Sequence, residues 1–195
     1  MPHGPDPRRV AAEAAAVADE VGLDRLTLAR VADGLGVSLP SLYKHVRGLD
    51  GLKRDLAVLG VRELTSALSR AAVGRAGRDA LHAIADAYRD YATAHPGVAA
   101  ASVRAPNRGD AEHLAAGDAV LAILFAVLAG YGVTGDDAID AIRSLRAAMH
   151  GFVTLEAAGG FSLPQSMDAS YRRLIDSLDT AFHAWTAERS QYHQG

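Results

Sequence analysis

A chain of 195 residues, 49% apolar and 22% charged, is long enough for one sizeable core or two smaller ones and has the composition of an ordered protein. It contains no cysteine, which excludes disulfide frameworks, thiol catalysis and cysteine-zinc sites. The start, MPHGPDPRR, is polar and no run approaches the ~20 uninterrupted apolar residues of a membrane span, so the expectation is a cytoplasmic protein; the net charge of −3 by itself argues mildly against a nucleic-acid binder.

The first predicted helix is Pro7 to Val21, with Asp6 as cap, Pro7 at its first position and Gly22 as its stop. Val10, Ala14, Val17, Ala18 and Val21 form a narrow apolar stripe that can clamp two further helices. Those follow in Thr27 to Val46, TLARVADGLGVSLPSLYKHV. Thr27 caps a helix running to Gly34, with Leu28, Val31, Ala32 and Leu35 on one side. Gly36 ends it, because glycine accepts the left-handed conformation needed just past a last turn. Ser38 then caps Leu39 to Val46, where Pro40 is tolerated in the first turn. Two short helices joined so tightly cross steeply, the geometry of a helix-turn-helix whose second helix enters the DNA major groove.

Leu42 and Val46, at i and i+4, turn inward and leave Ser41, Tyr43, Lys44 and His45 outside, offering hydroxyls, an ammonium and an imidazole to phosphates and base edges. Gly34 to Leu49 holds no acid, while Lys44 and Arg47 are basic. Residues 1–55 carry eight basic and eight acidic side chains, so the remainder holds the whole excess of −3 and basicity is local to the second helix. A solvated helix in an ordinary bundle is the plainer alternative. The coincidence of capped turn, glycine and acid-free outer face favours DNA.

The stretch GLDRLTLARVADGLGVSLPSLYKHVRGLDGLKRDL resembles the N-terminal DNA-binding domain of TetR-type transcriptional regulators, with LPSLYKHV and VRGLDGL at the family's spacing. The resemblance implies that Thr27, Ser38, Pro40, Ser41, Tyr43, Lys44 and His45 lie at or near DNA, Tyr43 and His45 mainly on phosphates. It also lets Arg8 and Arg9 approach the DNA backbone. The chain departs from the family at Gly48 and Leu49, where Asn-Lys is common, and at Leu39, a position that can be polar.

Beyond the motif, Asp50 to Val73 reads as one long helix carrying Leu52, Leu56, Leu59, Leu64 and Leu68. Gly60 in its middle is either a bending point or a place of close packing. Arg78 to His95 is the next helix and Pro96 ends it. Gly97 to Arg104 is a short helix, APNRGD a loop, and Ala111 to Tyr131 a helix whose second half, AVLAILFAVLAGYG, is apolar on all sides and is expected to be buried at the centre of a second domain. Thr134 caps a helix to Ala158, with Asp137 at the capping-box position. Met167 to Arg189 is the last helix, with a stripe of Met167, Tyr171, Leu174, Ile175, Leu178, Ala181, Phe182 and Trp185. The expected fold is all-α: residues 1–55 form a three-helix DNA-binding domain, and residues 56–195 a helical ligand-binding and dimerisation domain.

Three readings compete for the second domain. In the first it senses a small molecule through Tyr88, Tyr91, His95, Leu121, Phe125, Met149, His150 and Phe152, an apolar wall with a few polar tips. Each of these, taken singly, is also an ordinary core residue. AAMHGFVTLEAAGGF is similar to the TetR-type subgroup with a Trp-His-Gly motif, Met149 standing where the Trp would be. In the second reading the domain is an enzyme. His82 with Asp86 and Arg146 with His150 lie at i, i+4, but neither pair has the third member of a metal or nucleophile site, so no catalysis, metal or cofactor is expected. In the third the domain only dimerises and DNA binding is constitutive. The expected protein is a repressor that binds a palindromic operator as a homodimer through Ile139 to Glu156 and Met167 to Trp185 and is released by a small molecule; ligand-assisted activation is the alternative.

Overall fold

In the computed structural model, which describes residues 6–192, the described elements are all helical. They are α1 (Pro7–Val21), α2 (Leu28–Leu35), α3 (Leu39–Leu42), α4 (Gly48–Ala72), α5 (Gly77–Ala94), α6 (Pro96–Ser102), α7 (Ala111–Ala129), α8 (Gly135–Ala157) and α9 (Met167–Tyr192), with a single 3-10 turn at Leu23–Arg25. The chain folds into two compact units, Met1–Leu64 with Ala94–Asp118, and Thr65–Thr93 with Ala119–Gly195.

In the first unit the Asp6 carboxylate accepts the Arg9 N–H at 2.8 Å and Gly22 ends α1 at φ 86°. Val10, Ala14 and Ala18 are buried against Leu26, Leu28, Val31, Ala32, Leu35, Leu42, Val46, Leu52 and Leu56, while Val17 is partly buried beside them. The Thr27 hydroxyl oxygen accepts the Arg30 N–H at 3.3 Å, as a cap should. Gly36 is left-handed (φ 66°), and the Val37 N–H reaches back to the Ala32 carbonyl at 3.0 Å, closing α2 in the manner of a Schellman end.

Two expectations for the second motif helix are corrected. Its α-helical part is only Leu39–Leu42; beyond it, Lys44 N–H bonds to Ser41 O and His45 N–H to Leu42 O, so the chain tightens into i→i+3 turns before Val46. Val46 must turn into the core and Gly48, at φ 74°, opens α4 two residues later, which leaves no length for another α-turn. Ser38 occupies the N-cap position, but its side chain makes no cap bond; its carbonyl accepts from Ser41 and Leu42 instead. The same holds at Thr134, which starts α8 without a side-chain cap.

Helix α6 completes the first unit by close backbone approach. A Cβ on Gly97 would fall on the carbonyl of Ala18, and one on Gly60 would lie 2.9 Å from the Val98 carbonyl oxygen and 3.2 Å from Ser102 Cβ. Gly60 is therefore a packing contact inside a continuous α4. Asp19 of α1 supplies the cap that α6 lacks: one carboxylate oxygen accepts the N–H groups of Gly97 and Val98 at 2.9 and 3.0 Å.

The core of the second unit is built from Leu81, Ile84 and Ala85 of α5, Leu124 and Leu128 of α7, Ala141, Leu145 and Met149 of α8, and Tyr171, Ile175 and Phe182 of α9. Helix α7 departs from expectation. Leu124, Val127 and Leu128 are buried, but Phe125 is 40% exposed and Ala122, Ala126 and Ala129 are open, so the helix is apolar all round and covered on one side. By length and composition it would pass for a membrane span, at a mean hydropathy of 1.7.

Candidate DNA-reading surface and effector cluster

The motif holds its side chains as the apolar spacing dictates. Leu42 and Val46 are buried, and around them Ser38, Leu39, Pro40, Tyr43 and Lys44 are exposed while Ser41 and His45 are half-buried. Tyr43, 56% exposed, is a large ring standing off the surface. Thr27 is exposed at the start of α2, its oxygen lone pair engaged by Arg30 and its O–H still able to donate. Among the described residues no carboxylate pairs with Arg30, Lys44 or Arg47, so these cations are free for phosphates.

The expected effector residues divide. His95 belongs to the first unit, where its Nδ1 lies 3.0 Å from the second carboxylate oxygen of Asp19, beside the cap of α6. The others belong to the second unit. Tyr88 shares the inward stripe of α5 with Leu81 and Ile84, both with no exposed surface, yet it keeps part of its ring accessible, as does Tyr91. The Tyr88 hydroxyl is 3.2 Å from His150 Nδ1; burial pushes its phenol pKa up, and the charge of Arg146 acts the other way. Met149 is buried, Leu121 is half-buried, and Phe152 stacks at 5.0 Å on both Phe161 and Tyr171.

Next to that wall stands an ion pair with no expectation behind it. Arg89 donates from Nε and Nη2 to the two oxygens of Glu156 at 2.9 and 2.5 Å and from Nη1 to Asp168 at 2.9 Å, with its guanidinium 5.1 Å from the Tyr171 ring centre. It ties α5 to α8 and α9. His82 and Asp86, considered above as a pair, are not one: His82 Nε2 meets Asp176 at 2.9 Å, and no group of three metal-ligating side chains occurs among the described residues.

The model of the family described as "Tetracyclin repressor-like, C-terminal domain" matches residues 81–178, half of the chain. The chain belongs to the TetR family. It is 41% identical over 142 residues to an uncharacterized HTH-type transcriptional regulator of Mycobacterium tuberculosis, a match covering 72% of this chain and 65%, just under two thirds, of the relative. A second such regulator, from Bacillus subtilis, is 30% identical over 85% of this chain and 88% of its own length. Among solved structures, a protein of unknown function from Rhodococcus sp. RHA1 is 27% identical with a TM-score of 0.72, covering 94% of this chain and 96% of its own. TetR-Q116A from Acinetobacter baumannii AYE in complex with minocycline shares the fold at 23% identity and a TM-score of 0.71, over 92% of this chain and 97% of that one.

This TetR-family transcriptional regulator is not an enzyme, and its remaining polar clusters act on helix placement. Arg54 of α4 donates from both Nε and Nη2 to the two oxygens of Asp110, with Nε at 2.6 Å, and from Nη1 to Glu112 at 2.8 Å; Glu112 also meets Arg62 at 3.0 Å. The guanidinium holds the Asp110 carboxyl well below the usual carboxylate range, and Asp110 in turn accepts the His113 N–H at 3.1 Å in the first turn of α7. Tyr131 donates to Asp179 at 2.6 Å, and burial pushes its phenol pKa up. Apart from the local Asp110–His113 bond, the partners in these side-chain hydrogen bonds lie 48 to 58 residues apart, and a single sequence carries no signal that would join them.

Proposed function

We propose that the chain is an effector-responsive repressor: a homodimer that holds a palindromic operator through residues 1–55 and releases it when a small molecule binds within residues 56–195. The observation that carries the DNA half is the outward set Thr27, Ser38, Pro40, Ser41, Tyr43, Lys44 and His45 around a turn anchored by Leu42 and Val46, with Lys44 unpaired among the described residues. One short recognition segment reads few base pairs, so two copies with half-sites about 34 to 36 Å apart are the natural arrangement. The exposed faces of α8 (Ile139 to Glu156) and α9 (Met167 to Trp185) are the proposed isologous interface, with Ile139 and Leu155 exposed on the first. The protein is taken to work in the cytoplasm, where the DNA is.

The effector half rests on Tyr88, an inward-facing residue that stays accessible and bonded to His150, with Tyr91, Leu121, Phe125, Met149 and Phe152 as the apolar wall. A structural neighbour is a TetR in complex with minocycline, which makes a drug-sized ligand a reasonable guest. His95 is assigned instead to the α1–α6 contact. Binding releases DNA only to the extent that the ligand prefers a different spacing of the two α4 helices in the dimer.

The test is paired. Compounds are screened by thermal shift, where a ligand at about 100 times its dissociation constant adds ~2.7 kcal/mol, and each hit is added to the protein on its selected operator. Hits should weaken DNA binding. Compounds that stabilise the protein through Tyr88 and His150 yet leave operator affinity unchanged would refute effector control.

A further inference from the structure

The reading turn passes into α4 through Val46, Arg47, Gly48, Leu49, Asp50 and Gly51, and the two glycines of that stretch serve one side chain. Val46 is buried, which fixes where the chain enters. Gly48 is left-handed, at φ 74°, a conformation that a Cβ would strain. With that turn Arg47 comes to lie over the first turn of α4. A Cβ on Gly51 would stand 2.9 Å from the Cβ of Arg47, closer than two side-chain carbons approach each other. The arginine stem therefore starts directly against bare backbone. The atom in the way is bonded to the Arg47 backbone and cannot swing aside as the tip of a flexible side chain would, so any side chain at position 51 must move Arg47.

Arg47 is exposed, and among the described residues no acid meets it. Gly34 to Leu49 contains no acid at all. Asp50, three residues on, lies in the first turn of α4, where a carboxylate suits the positive end of the helix, and it makes no ion pair with Arg47. The charge of Arg47 is thus unspent two residues beyond His45, and its stem is seated on α4.

We propose that Arg47 is a phosphate clamp of the DNA-reading surface and that Gly51 is the residue that positions it. A guanidinium grips phosphate through two parallel N–H bonds, so the direction of its stem matters in a way that it does not for the point charge of Lys44. The inference rests on the DNA reading above and deepens it: one backbone contact is carried by the first turn of α4, the helix whose spacing in the dimer is proposed to control release. A change in the placement of α4 then reaches the DNA through Arg47 directly.

The test uses the full chain on its selected operator, with affinity read by fluorescence anisotropy from about 50 to 200 mM salt. Arg47→Ala should weaken binding roughly 10-fold, the scale of a charge-assisted hydrogen bond, and reduce the salt slope by about one per subunit. Arg47→Lys should keep the slope and lose part of the affinity. Gly51→Ala should weaken binding about 3- to 10-fold in the wild-type background and by nothing further once residue 47 is alanine, because its effect passes through the guanidinium. Arg47 is exposed, so Arg47→Ala should leave the melting temperature of the free protein unchanged, and Gly51→Ala, which adds a better helix former inside a helix, should still fold. Three results would each overturn the proposal: Arg47→Ala with wild-type affinity and slope, Gly51→Ala with wild-type affinity, or Gly51→Ala as damaging beside Arg47→Ala as it is alone. The last would mean that Gly51 shapes the whole turn and does not aim one side chain. Failure of the underlying DNA reading looks different. In that case Lys44→Ala is silent as well, whereas if only this inference fails, Lys44→Ala weakens binding and Arg47→Ala does not.

Discussion

Asp19 gives the most quantitative test of how the first unit is held together. A single carboxylate oxygen accepts two backbone N–H groups at the start of α6, at 2.9 and 3.0 Å, and the other oxygen meets His95. Gly97, one of the donors, is buried, and α6 has no side-chain cap of its own, so Asp19→Ala strands N–H groups that water cannot fully reach. Loss of a cap costs about 1 kcal/mol and an unsatisfied buried donor about 1–3 kcal/mol, which together put Asp19→Ala at about 2–3 kcal/mol. For a chain of this length that is a fall of roughly 5–10 °C in melting temperature. Asp19→Asn keeps a carbonyl oxygen facing the two backbone N–H groups and loses the charge and the second oxygen that meets His95, so it should fall by less than half as much. Urea titration followed by circular dichroism measures both. If Asp19→Ala unfolds within about 0.5 kcal/mol of wild type, or no more easily than Asp19→Asn, the backbone bonds are not what seats α6, and this assignment is wrong.

Other consequences follow from the same contacts. Lys44→Ala should weaken operator binding nearly uniformly across sequences and reduce the salt slope by about one, with melting temperature and dimer unchanged; anisotropy across a salt series reads it. Gly60→Ala gains about 1 kcal/mol of helix propensity but drives its methyl against the Val98 carbonyl, which cannot move as a flexible side chain would, so denaturation should show a net loss of about 1 kcal/mol. Asp110 has a depressed carboxyl pKa in the folded state, so its contribution is present above the unfolded value near ~4 and is lost as pH falls below it. The gap in melting temperature between wild type and Asp110→Asn should therefore narrow from about pH 6 to about pH 3; a constant gap would mean that Arg54 does not hold that carboxylate. Ala147→Glu, on the exposed face of α8, should give a monomeric mass in sedimentation if α8 and α9 pair as proposed.

The helices and the inward faces of the motif were readable from sequence because they depend on neighbours three and four residues away. The apolar stripes of α1 and α2, the caps at Asp6 and Thr27 and the stop at Gly36 are all local. What escaped is of two kinds. The second motif helix shortens to Leu39–Leu42 because Val46 has to reach a core made by other helices, a tertiary demand that propensity does not contain. The joining of α6 to α1 through Asp19 and Gly97, and the Arg54 and Arg89 clusters, depend on residues far apart in the chain, where composition looks the same whether the charges pair or are solvated. Helix α7 shows the opposite error: an all-apolar helix was expected to be buried on all sides, and one alanine-lined face is open. Of the effector candidates, Tyr88 and His150 come together and His95 serves the first unit instead.

Selection of bound duplexes from a random pool, using the purified full chain at moderate salt, tests the account most directly. It should return one palindrome with half-sites about one helical turn apart, about 34 to 36 Å between centres, and Lys44→Ala should enrich it poorly or not at all. Enrichment of an asymmetric site, or equal enrichment by wild type and Lys44→Ala, would contradict a two-fold repressor reading DNA through this segment.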